Sequence, residues 1–210
     1  MAYNLVGIRE RVLNDKLDDE DFDPSMVDRF INDAQRDIFN QFELPFQEKI
    51  FQGIVPSGSI MFELPTDLAV VQSQTMSGVR NFSNMKTGFR ALFASYPDVA
   101  ANSPAAPGYW AQYAGNILLS APTDKDYTLT IYYIKKPVTL QSDTDVPDVP
   151  YEFEELLILG AYIRLLKRNE DFDLAREEEK EYTRIMTQLV NRYGFRASDG
   201  PIKMNNRQIG

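Results

Sequence analysis

The chain has 210 residues, a formal net charge of −9 at pH 7 and neither cysteine nor histidine. Without these two residue types it can form no disulfide, thiolate nucleophile, Cys/His zinc site or Ser-His-Asp triad. The acidic balance disfavours a surface that grips nucleic-acid phosphates, because such a surface needs clustered lysine and arginine. We therefore expect a globular protein that is not an enzyme and needs no metal or cofactor.

Two amphipathic helices are predicted at the N-terminal end. Apolar residues that recur every three or four positions predict a short helix over residues 4–14, with Asn4 as its cap. Asp23 followed by Pro24 is a strong start signal for a second, longer helix. This helix is expected to stop before Pro45.

The acidic link between these helices has part of the spacing of a calcium-binding loop, with aspartates at 19, 21 and 23. However, Pro24 stands where such a loop needs glycine, and Phe30 where it needs a bidentate glutamate. We interpret the link as a solvated connection that ends in a helix cap.

A β lobe is predicted over residues 46–148. The first two strands flank a Pro-Ser-Gly-Ser turn and predict a hairpin, and Ala114-Gly115-Asn116 predicts a second hairpin. The last strand carries bulky side chains on both faces, which is typical of a central strand. The predicted strands are 46–55, 60–64, 69–74, 109–113, 117–120 and 127–136.

A helical hairpin is predicted over residues 149–193. Its first helix is apolar nearly all round between Leu156 and Leu166, which suits the centre of a bundle. Either Asp171 or Asp173 would cap the second helix. The outward part of that helix carries Glu177, Glu178, Glu179 and Glu181.

Together these elements predict an α+β protein. Its helical bundle would be built from both chain ends, residues 1–45 and 149–193, with the antiparallel β lobe of residues 46–148 inserted between them. Residues 194–210 are basic, lack periodicity and predict an extended docking arm. The basic and apolar residues of this arm are Phe195, Arg196, Ile202, Lys203, Met204, Arg207 and Ile209.

Packing and turn residues follow one another in a recognisable order along most of the chain. They are Ile31-Asn32-Asp33-Ala34, Pro107-Gly108-Tyr109, Ile117-Leu118-Leu119-Ser120-Ala121-Pro122, Tyr127-Thr128-Leu129-Thr130-Ile131-Tyr132-Tyr133, Pro137, Leu140, Val149-Pro150, Leu156-Leu157, Gly160-Ala161 and Tyr182. This order resembles the head-to-tail adaptor proteins of tailed bacteriophages, which are also called connector or neck proteins.

The resemblance implies a structural virion protein. It implies a ring of copies, a dodecamer, that lies beneath the portal protein, joins a tail or nozzle protein below and lets DNA pass without specific binding. The arm would dock onto the portal, and Glu177, Glu178 and Glu181 would line a channel or a subunit seam. The N-terminal residues lack the apolar run of a signal peptide, so we expect synthesis in the host cytoplasm and no membrane partner.

An alternative function is a carbohydrate- or receptor-binding module of a phage tail. Tyr109, Trp110 and Tyr113 could form a stacking platform, because aromatic rings stack on the apolar faces of sugars. Aromatic residues on a strand more often fill the core of a small sheet.

Overall fold

The computed structural model describes residues 3–17, 22–85 and 88–193. These residues form a mixed α+β structure with two compact units. One unit comprises the described residues of Met1–Gln47 and Lys136–Gly210, and the other is Glu48–Lys135. The α-helices are α1 (Leu5–Glu10), α2 (Pro24–Gln41), α3 (Phe89–Ser95), α4 (Glu155–Arg168) and α5 (Phe172–Tyr193). The strands are β1 (Glu48–Val55), β2 (Met61–Glu63), β3 (Leu68–Met76), β4 (Ser83–Asn84), β5 (Tyr109–Tyr113), β6 (Asn116–Leu119) and β7 (Tyr127–Lys135).

Both N-terminal caps are confirmed. The Asn4 side chain accepts the backbone N–H of Gly7 at 3.1 Å. The Asp23 carboxylate accepts the backbone N–H of Ser25 at 2.9 Å, and Pro24 begins α2. Each cap satisfies a backbone donor that has no partner within the helix.

The short first helix does not end where the sequence predicted. After α1 the chain continues as a π-helical segment, Arg11–Leu17. Such segments are rare, so apolar residues spaced by three and four predict an ordinary α-helix here. Two aspartates of the calcium hypothesis, at 19 and 21, lie outside the described residues.

The helix α4 is the most deeply buried element of the helical unit. Every residue from Leu156 to Ile163 is buried, as the apolar sequence predicts. Its neighbours are α2 on one side and α5 on another, and side chains from α1, α2, α4 and α5 share one core. The helix approaches α2 closely at Gly160, where a Cβ added to the glycine would lie 2.7 Å from the Cβ of Ala34.

Two amide side chains of α2 bind the segment that leads into α4. Asn32 donates to the carbonyl of Leu140 at 3.0 Å and accepts its N–H at 2.8 Å. Gln35 donates to the carbonyl of Val138 at 2.8 Å and accepts the N–H of Asp148 at 2.9 Å. These bonds tie residues 136–148, which the sequence predicts as the end of the β lobe, to the helical unit.

The hairpin at Ala114-Gly115 and the central position of the last long strand are confirmed. The strands β5 and β6 pair as an antiparallel hairpin, and both turn residues have positive φ, 46° and 78°. A two-residue turn with this backbone matches the twist of the flanking strands. The three-stranded sheet has the order β1-β7-β3, with β7 antiparallel to both neighbours.

The predicted hairpin of the first two strands is wrong. The strand β1 pairs with β7, whereas β2 pairs with β6 in a four-stranded sheet of order β2-β6-β5-β4. The turn between them is held by Thr123, whose hydroxyl donates to the carbonyl of Pro56 at 2.6 Å and accepts the N–H of Ser59 at 3.0 Å. The turn residues therefore carry the chain from one sheet to the other.

The two sheets enclose a common apolar core, with Trp110, Leu119, Leu129 and Tyr133 among its members. On its other face the four-stranded sheet is covered by α3, whose Leu92 packs on residues of β5 and β6. All strand pairs are antiparallel, as predicted, except the two-residue β4, which runs parallel to β5. Such a short pair carries no signal in the sequence.

The contact between Gly160 and Ala34 leads to a stability prediction. In a free helix, Gly→Ala stabilises by about 1 kcal/mol, but here the added methyl group overpacks the α2–α4 contact. We expect Gly160→Ala to lower the free energy of unfolding by about 1–3 kcal/mol, as measured by urea denaturation. The matched control is the double variant with Ala34→Gly, whose loss should be smaller than the sum of the two single losses. Simple additivity of the two effects would contradict the contact.

Candidate interaction surfaces

The three glutamates predicted to face a channel or a seam lie on the N-terminal half of α5 but differ in their surroundings. Glu177 is exposed and has no ion pair among the described residues. The carboxylate of Glu181 accepts two hydrogen bonds from Arg184, at 2.7 and 2.5 Å, and this pairing lowers the pKa of Glu181. Glu178 is partly buried, 4.0 Å from the ammonium group of Lys16.

Lys16 belongs to a small ionic network that no sequence pattern predicts. Arg11 lies 2.8 Å and Lys16 3.7 Å from the two carboxylate oxygens of Glu155 at the start of α4. The two cations are five residues apart, which is the repeat of a π-helical hydrogen bond, so the π-helical segment brings both to one carboxylate. This network joins the π-helical segment to α4 and, through Glu178, to α5.

An apolar groove lies beside the C-terminal half of α5. It has a volume of about 330 Å³, and its lining includes Phe42, Tyr182, Met186 and Val190. The exposed residues nearby are Thr183 and Thr187, whose hydroxyls donate to backbone carbonyls of the same helix. The C-terminal half of α5 is therefore less charged than the half that carries the glutamates.

The end of α5 is firmly held. The ring of Tyr193 packs edge-on against Phe46 and Phe153, and its hydroxyl donates to Glu152 at 2.9 Å. Asp171 is the cap at the other end, accepting the N–H of Leu174 at 3.4 Å. The seven arm residues predicted to dock onto a portal, from Phe195 to Ile209, lie outside the described residues.

The three aromatic residues of the carbohydrate hypothesis do not form one platform. Trp110 is buried between the sheets and packs near Phe82, with ring centroids 6.3 Å apart. Tyr109 and Tyr113 are exposed on the opposite face of β5, because successive side chains of a strand alternate. The stacking platform is therefore wrong, and the tryptophan belongs to the core.

Two findings concern the carboxylates and the helices of the described part of the chain. No group of three or more Asp or Glu side chains within it could hold a metal ion. No helix in the same residues is long and apolar enough to cross a membrane.

The sequence of the chain matches the model of one known protein family. The family model described as SU10 adaptor protein matches residues 3–205. The chain belongs to the SU10 adaptor protein family. It is an adaptor protein of a tailed phage, as the order of its packing residues predicted, and its family places it in the virion. A search of curated proteins found no match.

Several residues that carried the resemblance have clear structural roles in the adaptor. Asn32 clamps the backbone at Leu140, which is itself buried. Gly160 permits the close approach of α4 to Ala34. The match also extends past α5 to Asn205, so it includes most of the predicted arm.

The buried position of Trp110 leads to a prediction for the adaptor. We expect Trp110→Ala to cost about 3–5 kcal/mol of unfolding free energy, as for other large core residues. Tyr109→Ala is the matched control on the same strand and should change stability by less than about 0.5 kcal/mol. Urea denaturation measures both variants. A small effect of Trp110→Ala would contradict its place in the core.

Proposed function

We propose that the adaptor is the subunit of a ring of twelve copies that lies beneath the portal, links the capsid to the tail and lets DNA pass. The observation that carries this proposal is the family match, which spans both compact units and most of the C-terminal segment. In the proposed subunit, helices from both chain ends form a bundle, the β lobe is inserted between them, and residues 194–210 form a docking arm. Its partners are the portal protein, a tail or nozzle protein and further copies of itself.

The proposed channel or seam surface is the N-terminal half of α5, centred on Glu177, Glu178 and Glu181. Between residues 173 and 181 this helix has five acidic and two basic side chains, a net charge of −3. A negative surface repels DNA phosphates and favours passage without binding. The repulsion acts over about 8 Å at physiological ionic strength, so these side chains must lie close to the DNA path.

The electrostatic part of the proposal is tested by charge reversal. We expect Glu177→Lys, combined with the same change at Glu178 and Glu181, to slow DNA ejection from assembled particles, because lysines bind phosphates. The single variant Glu177→Lys is also prepared. Its matched control is Glu63→Lys, which reverses one exposed charge on β2 and therefore has the same net charge. Melting temperatures establish that each variant folds. Normal ejection kinetics from the triple variant would show that α5 does not face the DNA.

The proposed portal contact is the arm of residues 194–210. The arm contains four apolar residues that a solvated terminus would not need: Phe195, Ile202, Met204 and Ile209. Fixing the backbone of a chain segment costs on the order of 1–2 kcal/mol per residue in conformational entropy. Several of these side chains must therefore be buried together in a partner before the arm can remain bound.

The arm proposal is tested by truncation. Deleting residues 196–210 should leave the melting temperature nearly unchanged and abolish attachment to portal-bearing heads. Replacing the four apolar residues by serine should have the same effect, whereas replacing Asn205, Asn206 and Gln208 by serine should have none. A truncated adaptor that attaches at full strength, or one that no longer folds, would overturn the proposal.

A further inference from the structure

The outer face of the three-stranded sheet exposes apolar side chains along most of its length, and only Ile134 at one end of it is buried among the described residues. We name this surface the open face and define it by Ile50, Ile54, Val70 and Tyr132. Their exposed fractions are 59%, 66%, 38% and 42%. Ile50 is directly opposite Tyr132 in the strand register, so these two side chains are neighbours.

The open face differs in its surroundings from the inner face of the same sheet and from the outer face of the four-stranded sheet. The inward side chains of the same strands, such as Leu129 and Ile131, are fully buried against the other sheet. The four-stranded sheet also has apolar residues on its outer face, but Ala111 and Leu118 there are buried beneath α3. The large side chains that the four-stranded sheet leaves exposed on this face are Met61, Tyr109 and Tyr113. The three-stranded sheet differs in exposing mostly branched aliphatic side chains, those of Ile50, Ile54 and Val70.

The open face also lacks charge. The residues between its apolar side chains are neutral, and Glu48 at one end is the only charged residue among the paired positions of this face. Its polar members are Gln52, Ser73, Thr75, Thr128 and Thr130. The centres of protein interfaces are similarly depleted of charged residues. Without lysine or arginine, this surface lacks the positive charges that dominate the binding of DNA phosphates.

We propose that a second copy of the adaptor covers the open face, an inference that rests on the ring of the proposed function. Two copies of a chain with a net charge of −9 repel each other over most of their surfaces. An uncharged apolar region is the place where like-charged copies can approach without that cost, and burial of its side chains then favours the contact.

The size of the open face indicates the part it plays in this contact. Three strands spaced 4.8 Å apart, each about eight residues long, cover roughly 400 Å². A stable interface buries about 800 Å² on each partner. The open face is therefore the apolar centre of the contact between copies, and a polar rim around it completes the interface.

The absence of cysteine permits a direct test by site-specific cross-linking. In an Ile54→Cys adaptor, a benzophenone maleimide is attached to the new thiol and activated by light. The matched control is Phe93→Cys on α3, another exposed apolar position of the same unit. The full-length protein is irradiated in solution and after binding to portal-bearing heads, and the adducts are identified by mass spectrometry.

We expect the label at residue 54 to give an adduct of two adaptor chains at several times the yield of the label at residue 93. An adduct with a different protein, no adduct in either sample, or equal yields from both positions would overturn the inference. Ile50→Asp combined with Ile54→Asp should lower the amount of oligomer on heads, whereas Phe93→Asp should not. Both changes are at exposed positions, and melting curves confirm folding.

The result separates the inference from the proposed function. If the wild-type adaptor attaches to heads and joins them to tails while residue 54 contacts no second copy, only the open-face inference fails. If the wild-type adaptor attaches to no portal-bearing head, the proposed function fails, and the cross-linking in solution still reports on the open face.

Discussion

The fold of the helical unit depends on the need to cover α4 on every side. A helix with eight consecutive buried residues, Leu156 to Ile163, cannot face water along any side. The chain supplies the cover from α1 and α2, which precede the β unit, and from α5, which follows α4. Gly160 allows the α2 contact to be close, and the ionic network around Glu155 fixes the π-helical segment at the start of α4.

The pairing of the first and last long strands explains how a β unit can interrupt the chain. Glu48, at the start of β1, is paired with Ile134, near the end of β7, so the chain enters and leaves the unit at adjacent points. Segments with adjacent ends can be inserted into another unit with little disturbance. The amide clamps of Asn32 and Gln35 then bind the returning chain to α2 before it reaches α4.

Local signals in the sequence predicted local structure well. The caps at Asn4 and Asp23, the turn at Ala114-Gly115 and the buried helix around Gly160 each follow from residue types within a few positions. The partner of β1 did not follow, because the turn residues after it are equally typical of a hairpin and of a crossing between sheets. Pairing with β7 depends on residues some eighty positions away.

The candidate surfaces were predictable to a similar extent. The outward position of the glutamates of α5 follows from helical periodicity, and the pairing of Glu181 with Arg184 follows from their spacing of three. The approach of Lys16 to Glu178 depends on tertiary packing and could not be read from the sequence. The open face was missed because Ile50 and Ile54 suggest a buried face until the partner sheet is known to lie on the other side.

The central claim is that copies of this adaptor form a ring at the portal. The most direct measurement is the number and arrangement of adaptor copies on portal-bearing heads, determined by cryo-electron microscopy of heads incubated with the purified protein. The account predicts a closed ring of twelve subunits directly beneath the portal. Copies that bind singly, or density for the adaptor only at a distance from the portal, would contradict it.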